Sequence, residues 1–286
     1  MQHLTICNFK DLQNHLANID RLSPRVAIDL SAYNNFIRPI FIVSIAQFIR
    51  MLRSRGYDVR SIILPSNTDS RNYLLQHVDL ITLFESNFEP TKVNDSFLTT
   101  LPLMSIQQER IPDKKTEIVQ FLRNYCPHKE FTAIEVSLDE ILNNCFDHAL
   151  SQTGIIGYGQ YYRRTNTIKL AVCDTGIGIP DCVNNYFRNR GENLISSEAA
   201  IEWAFQPNNT TQSLPTNRGR GLNTLHTAIA ACNGTYTLIT HDKWLMSKSG
   251  VRQYRDTYKF FGTAIEFELN IDNLPDLELE DFEYDF

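Results

Sequence analysis

Between residues 25 and 84 the spacing of apolar positions switches repeatedly between strand-like and helix-like. Arg25-Val-Ala-Ile-Asp-Leu30 reads as a buried strand, entered through Pro24. From Ile40 to Arg55, Phe41, Ile45, Phe48, Ile49 and Leu52 recur at helical spacing, and Gly56 lies just past the basic end, where a helix C-cap belongs. Val59 to Leu64 is a second strand closed by Pro65, followed by a short helix from Ser70 to Val78 and a last apolar run, Leu80 to Phe84. Ahead of these lie a short apolar start (Leu4, Ile6) and a helix-like stretch, Lys10 to Ile19. Strand, helix, glycine, strand, helix predicts parallel pairing through a right-handed crossover.

The pattern then breaks. Glu85 to Lys115 is polar, with Pro90, Pro102 and Pro112, and carries a domain boundary, although 98–106 has the character of an edge strand. Asp113 is placed to cap a helix reaching Tyr125, Pro127 ends it, and a long helix runs from about Phe131 to Leu150. Gly154 to Tyr162 and Thr167 to Cys173 alternate as a hairpin pair around Arg163-Arg-Thr-Asn166. Asp181 to Gly219 is polar except for the island Ile201-Glu-Trp-Ala-Phe205. A helix from Leu222 to Ala231, closing near Asn233-Gly234, precedes two antiparallel strands, Thr235 to Thr240 and Tyr258 to Leu269, with a looser excursion between them. The expected organisation is an α/β unit over 1–86, a linker and first strand over 87–112, a second unit over 113–270, and a tail over 271–286.

Composition narrows the function. A chain of 286 residues is long enough for two cores. A net charge of −6 gives no support to a sequence-independent grip on nucleic acid, which needs clustered Lys and Arg. Six scattered cysteines without a C-x-x-C pair predict reduced thiols in a cytoplasmic protein. The longest apolar run, Ile40 to Ile49, is too short and interrupted to span a bilayer, and no signal-peptide pattern opens the chain.

The chemistry concentrates in four places. Glu140, Asn144 and His148 fall at i, i+4 and i+8, which puts a carboxylate, an amide and an imidazole on one helical face, with Ile141, Leu142, Cys145 and Ala149 on the buried side. The strand Ile168 to Cys173 delivers Asp174 into the turn Asp174-Thr-Gly-Ile-Gly-Ile-Pro180, whose glycines Gly176 and Gly178 let backbone approach a ligand. Arg218-Gly-Arg-Gly-Leu222 opens a helix with backbone N–H groups and two cations, which is phosphate-binding chemistry. Gly262-Thr263 starts a late strand. In this order and at these distances the four segments resemble the N-box, the two main glycine boxes and the final Gly-Thr of the gyrase, heat-shock-chaperone, sensor-histidine-kinase and mismatch-repair ATPase superfamily (GHKL, the Bergerat fold), over roughly residues 98 to 270.

That resemblance implies an α/β sandwich, a mixed sheet with helices on one face, holding ATP and Mg²⁺ under a lid drawn from 181–219. It implies Asn144 as the Mg²⁺ ligand, Glu140 as the group activating water or an acceptor hydroxyl, and Asp174 as the reader of the adenine amine. Gly176 and Gly178 then make room for base and ribose, and Thr263 supports the adenine from the opposite wall. Gly219, Gly221 and the start of the helix at Leu222 receive the phosphates, with charge from Arg218 or Arg220. His148 either touches phosphate or lid, or is a structural histidine at the helix end.

Residues 26 to 84 resemble the STAS domain of sulphate transporters and anti-sigma-factor antagonists. Where phosphorylatable members open the long helix with Asp-Ser-Ser-Gly, this chain has Arg38-Pro-Ile-Phe41, so the acceptor hydroxyl is missing. The unit reads as a degenerate docking domain for a protein partner, or as a small α/β domain sharing only the topology. Three functions stay open: a slow Mg²⁺-dependent ATPase working as a regulatory switch, a serine/threonine kinase resembling the anti-sigma-factor kinases, and a nucleotide-gated module that hydrolyses nothing. A homodimer is implied by resemblance alone. The acidic tail, Asp272 to Phe286, reads as a solvated end or as an acidic-aromatic peptide that docks on a basic surface.

Overall fold

The computed structural model describes residues 1–87, 99–147, 153–207, 209, 211 and 221–277, the side chains of Glu140 and Asp147 excepted. The N-terminal part runs β1 (Gln2–Thr5), α1 (Phe9–Ala17), β2 (Arg25–Asp29), α2 (Pro39–Ser54), β3 (Asp58–Ile63), α3 (Thr68–Gln76) and α4 (Leu80–Glu85). Its sheet has the order β1-β2-β3 and is parallel, with Leu4 opposite Ile28 and Val26 opposite Val59. The apolar run Leu80 to Phe84 is helical, as α4.

The C-terminal part continues with β4 (Thr100–Ile106), α5 (Ile111–Tyr125), α6 (Thr132–Asp147), β5 (Ile155–Tyr162), β6 (Thr167–Cys173), α7 (Ile179–Asn189), α8 (Ser197–Phe205), α9 (Gly221–Ala231), β7 (Thr235–Lys248) and β8 (Val251–Asn270). Its five strands follow the order β4-β5-β6-β8-β7. The chain is thus an α+β protein with one parallel and one antiparallel sheet. Every described pairing in the second sheet is antiparallel, where a mixed sheet was expected. Asp113 stands in the first turn of α5 beside Arg110 rather than at its cap, because Pro112 takes the early position that lacks an N–H.

Two further differences matter for the site. The expected excursion between the last two strands is a continuous ladder, Lys243 opposite Asp256 through Lys248 opposite Val251. It closes at Ser249-Gly250, both at positive φ, the backbone a two-residue turn needs to match strand twist. The polar stretch after Asp181 also carries structure: α7 and α8 fill most of 179–205, and Ser196 caps α8 by accepting from the Ala199 N–H. Glu202 of α8 is bound by the Arg252 guanidinium and, at 2.6 Å, by the Tyr254 hydroxyl of the hairpin.

Side chains of β6 and β8 alternate between two cores, as a period of two requires. Leu170, Val172, Ile265 and Phe267 face α5, α6 and α9, packing with Ile118, Leu122, Leu138, Leu142, Leu225 and Ile229. Ala171, Cys173 and Ala264 face the other way, into a core shared with α2 and the parallel sheet. α2 touches β3 of one sheet and β5, β6 and β8 of the other. All residues from Pro39 to Ile49 are buried, as are Met51 and Leu52. A helix that is apolar all round must be enclosed, and burial of each large aliphatic side chain contributes about 1.5–3 kcal/mol.

The N-terminus of α2 is fixed by charge. Glu266, on β8 and fully buried, accepts from the Ile40 N–H at 2.8 Å and from Arg38 Nε at 2.9 Å; the same guanidinium reaches Thr237 Oγ1 at 3.1 Å. The carboxylate satisfies a helix N–H that lacks an intrahelical acceptor and lies at the positive end of the dipole. Among the described residues no helix is long and apolar enough to cross a membrane.

Candidate nucleotide site

Asp174 follows the last residue of β6, and its N–H extends the ladder by one bond, to the Thr263 carbonyl at 3.0 Å. Strand alternation turns its side chain away from α2 and toward α6. There it is 1% exposed. Its Oδ1 accepts from the Gly176 N–H at 2.7 Å, and the Cys145 thiol of α6 also donates to the carboxylate. Burial pushes the Asp174 carboxyl up to about 6, tempered by the Gly176 N–H and the Cys145 S–H. The same burial, with the carboxylate beside it, pushes the Cys145 thiol well above its ordinary range. An ionised carboxylate has about four acceptor positions. With the Thr263 N–H also directed at it, three donors reach this carboxylate and one position is left for a ligand.

The wall behind it is built without Cβ atoms. Gly262 sits at φ +80°, and a Cβ there would fall 2.3 Å from the Asp174 carbonyl oxygen and 2.6 Å from Oδ1. Gly178, also at φ +80°, would bring a Cβ within 2.8 Å of Thr240 Oγ1 and 3.0 Å of the Gly262 carbonyl. Both positions therefore require glycine twice over, for φ and for space. β8 makes this approach through a bulge: Thr240 opposes Thr263 but His241 opposes Phe260, so Phe261 and Gly262 are extra.

Thr240 is the residue that sequence reasoning missed. Its fully buried hydroxyl accepts from the Ile179 N–H at 3.0 Å, donates to the Gly262 carbonyl at 3.1 Å, and lies 3.2 Å from Thr263 Oγ1. It ties the start of α7 to the bulge of β8. The available signal was a lone hydroxyl ending the apolar strand Leu238-Ile-Thr240.

Of the residues singled out from sequence, Asp174, Gly176, Gly178 and Thr263 come together on this wall. Asn144 is half-buried on α6, next to the Cys145 that touches Asp174. Glu140 lies one turn earlier on the same helix, its side chain outside the described residues. The neighbouring Asn143 spends its amide on the Asp139 carbonyl at 2.8 Å. Gly221 opens α9, which packs against α6, and Leu222 is half-buried on the core behind it. His148, Arg218, Gly219 and Arg220 lie outside the described residues. Among those described, no cluster of three or more His, Cys, Asp or Glu is arranged to hold a metal ion.

No family model matches the chain, and no curated protein matches it. Among solved structures it is similar to the ATPase region of Saccharomyces cerevisiae topoisomerase II, at 14% identity and a TM-score of 0.31, covering 50% of this chain and 40% of that one. The same region bound to ICRF-187 (dexrazoxane) is similar at 14% identity and a TM-score of 0.31, over 51% of this chain and 40% of that one. The likeness thus spans well under two thirds of the matched chains.

Proposed function

We propose that this protein binds ATP with Mg²⁺ and hydrolyses it slowly, as a GHKL-type regulatory switch. The observation that carries the reading is Asp174: a buried carboxylate with acceptor capacity to spare, set in a wall from which glycines exclude side chains. An adenine offers a donating exocyclic amine at that edge, whereas guanine offers an oxygen there. The acceptor position left on Asp174 suits the first and repels the second.

The other roles follow the resemblance. Asn144 is the Mg²⁺ ligand, since Mg²⁺ bound to a nucleotide takes one or two protein oxygens and fills its octahedron with water and phosphate. The ion would neutralise the phosphates and polarise the transferred group. Glu140 orients and deprotonates the nucleophile. Gly219, Gly221 and the N-terminus of α9 receive the phosphates, with Arg218 or Arg220 adding charge. The N-terminal unit, through the shared core around α2, transmits occupancy of the site to a protein partner. Water is favoured over an internal seryl acceptor, because the start of α2 is occupied by the Arg38–Glu266 pair.

Titration calorimetry with ATP·Mg²⁺ tests the first step. Binding that disappears in Asp174→Asn, and binding retained without phosphate release in Glu140→Ala, are the expected results. An absence of heat with the wild-type protein removes the reading. Label transferred from γ-labelled ATP to a partner protein replaces the switch with a kinase.

A further inference from the structure

The nucleotide wall is held from behind by a residue of the N-terminal unit. Gln47 lies in the middle of α2 and is 1% exposed. Its Nε2 donates to two main-chain carbonyls, Cys173 and Gly154, each at 2.8 Å. Its Oε1 accepts from Thr153 Oγ1 at 3.3 Å, and Thr153 Oγ1 lies 2.6 Å from Thr175 Oγ1. Cys173 immediately precedes Asp174 and Thr175 immediately follows it. One amide therefore reaches the chain on both sides of the buried carboxylate, directly on one side and through a hydroxyl on the other.

The contact falls where the sheet stops holding itself. The β5–β6 ladder ends with Ile156 opposite Cys173. The Gly154 and Cys173 carbonyls stand at that end, and the amide joins them across it. The orientation is chemically forced: a flipped amide would set its oxygen against two carbonyl oxygens. No apolar side chain of similar size supplies two N–H donors. The twelve other buried positions of α2 comprise Pro39, Ser44 and ten apolar residues, so a buried amide here is an expensive choice on a helix that otherwise needs only to pack.

We propose that Gln47 is a positioning residue of the nucleotide site: it fixes the β6 terminus from the opposite face of the sheet and so sets where the Asp174 carboxylate meets the base. The inference rests on the ATP reading for its ligand, while its geometric content concerns Asp174 alone. A consequence is that the pocket belongs to both halves of the chain. The N-terminal unit contributes to affinity and base selectivity without touching nucleotide.

The test compares full-length Gln47→Met, which keeps the volume and removes the donors, with Ile49→Val, a packing control in the same helix. Calorimetry with ATP·Mg²⁺ and GTP·Mg²⁺ should show ATP affinity weakened about tenfold or more in Gln47→Met, with the preference for ATP over GTP narrowed. Ile49→Val should keep both at the wild-type level after both proteins are compared well below their melting temperatures. Hydrogen exchange of the Gly176 amide, which donates to Asp174 Oδ1, gives a readout independent of nucleotide: it should quicken about tenfold or more in Gln47→Met and not in the control. Wild-type affinity and selectivity in Gln47→Met, or equal losses in the two variants, would overturn the proposal. If the wild-type protein binds no nucleotide, the ATP reading fails, and the Gly176 exchange rates still decide whether Gln47 positions Asp174.

Discussion

Two carboxylates are sealed inside the same sheet, on opposite faces, and they live differently. Glu266, facing α2, is 0% exposed and surrounded by what a charge needs: a guanidinium and the N–H of a helix start. Asp174, facing α6, is 1% exposed and holds two backbone amides, those of Gly176 and Thr263, and one thiol, with no ion pair among the described residues. A buried charge with a full set of partners is architecture. A buried charge left short of partners weakens the fold by itself, and it is retained where a ligand completes the set. If Asp174 reads a base as proposed, one sheet separates assembly from recognition by the face a residue points to.

The largest effect should come from unbalancing the first carboxylate. Arg38→Met leaves Glu266 buried with the Ile40 N–H as its one hydrogen bond among the described residues, and about 3–5 kcal/mol of stability should be lost in urea denaturation. Adding Glu266→Gln should recover most of it; a double variant as unstable as the single one would contradict the pairing. The second carboxylate should respond in the opposite direction. Its folded value of about 6 lies above the ordinary 3.8, so between those pH values the folded protein keeps a proton that the unfolded chain has released. Stability from this group is therefore greatest in acid, falls as pH rises through that window, and stays lower above it. Asp174→Asn should be more stable than wild type by roughly 2–3 kcal/mol at pH 7.5, close to it at pH 4, and unable to bind ATP. Thermal melts at the two pH values read the difference directly.

A smaller effect is expected at the wall. Gly262→Ala combines a positive φ with a collision against Asp174, and should cost about 1–3 kcal/mol while weakening ATP at least tenfold. A variant that keeps wild-type affinity would show that the wall tolerates displacement. Smallest of all is Glu202→Gln, which loosens a partly exposed pair between α8 and the hairpin by about 0.5–1 kcal/mol. Its ATP affinity should match wild type, because neither Glu202 nor Arg252 bonds to Asp174 among the described residues.

Much of this arrangement was legible from local pattern. The strand leading to Asp174, the helix carrying Glu140 and Asn144, and the glycine turn all declare themselves within about ten residues of sequence. The apolar enclosure of α2 was written in Ile40 to Ile49 as well, since a helix with no polar face has no place at a surface. What it would lie against was not. Arg38 and Glu266 are 228 residues apart, and Gln47 and Cys173 are 126 apart. No periodicity links partners across such distances, and a Gln in an apolar helix reads alike whether it faces solvent, a neighbour or a strand end. The hairpin beyond Thr240 was missed for a related reason. Its strands are rich in Lys, Asp, Arg and Ser, and they gain their order from pairing with each other and from distant partners, Phe9 and Gln13 of α1 and Glu202 of α8.

The enclosure of α2 has a consequence for how this protein can be divided. A helix shared by two sheets cannot be assigned to either by a cut in the chain. Expressed alone, the N-terminal half would present a broad oily surface to water, and the C-terminal half would lose the cover from one side of its sheet. Calorimetric melting should accordingly give one transition, and the two halves, in any lineage that reshuffles its modules, would have to travel as a single heritable block.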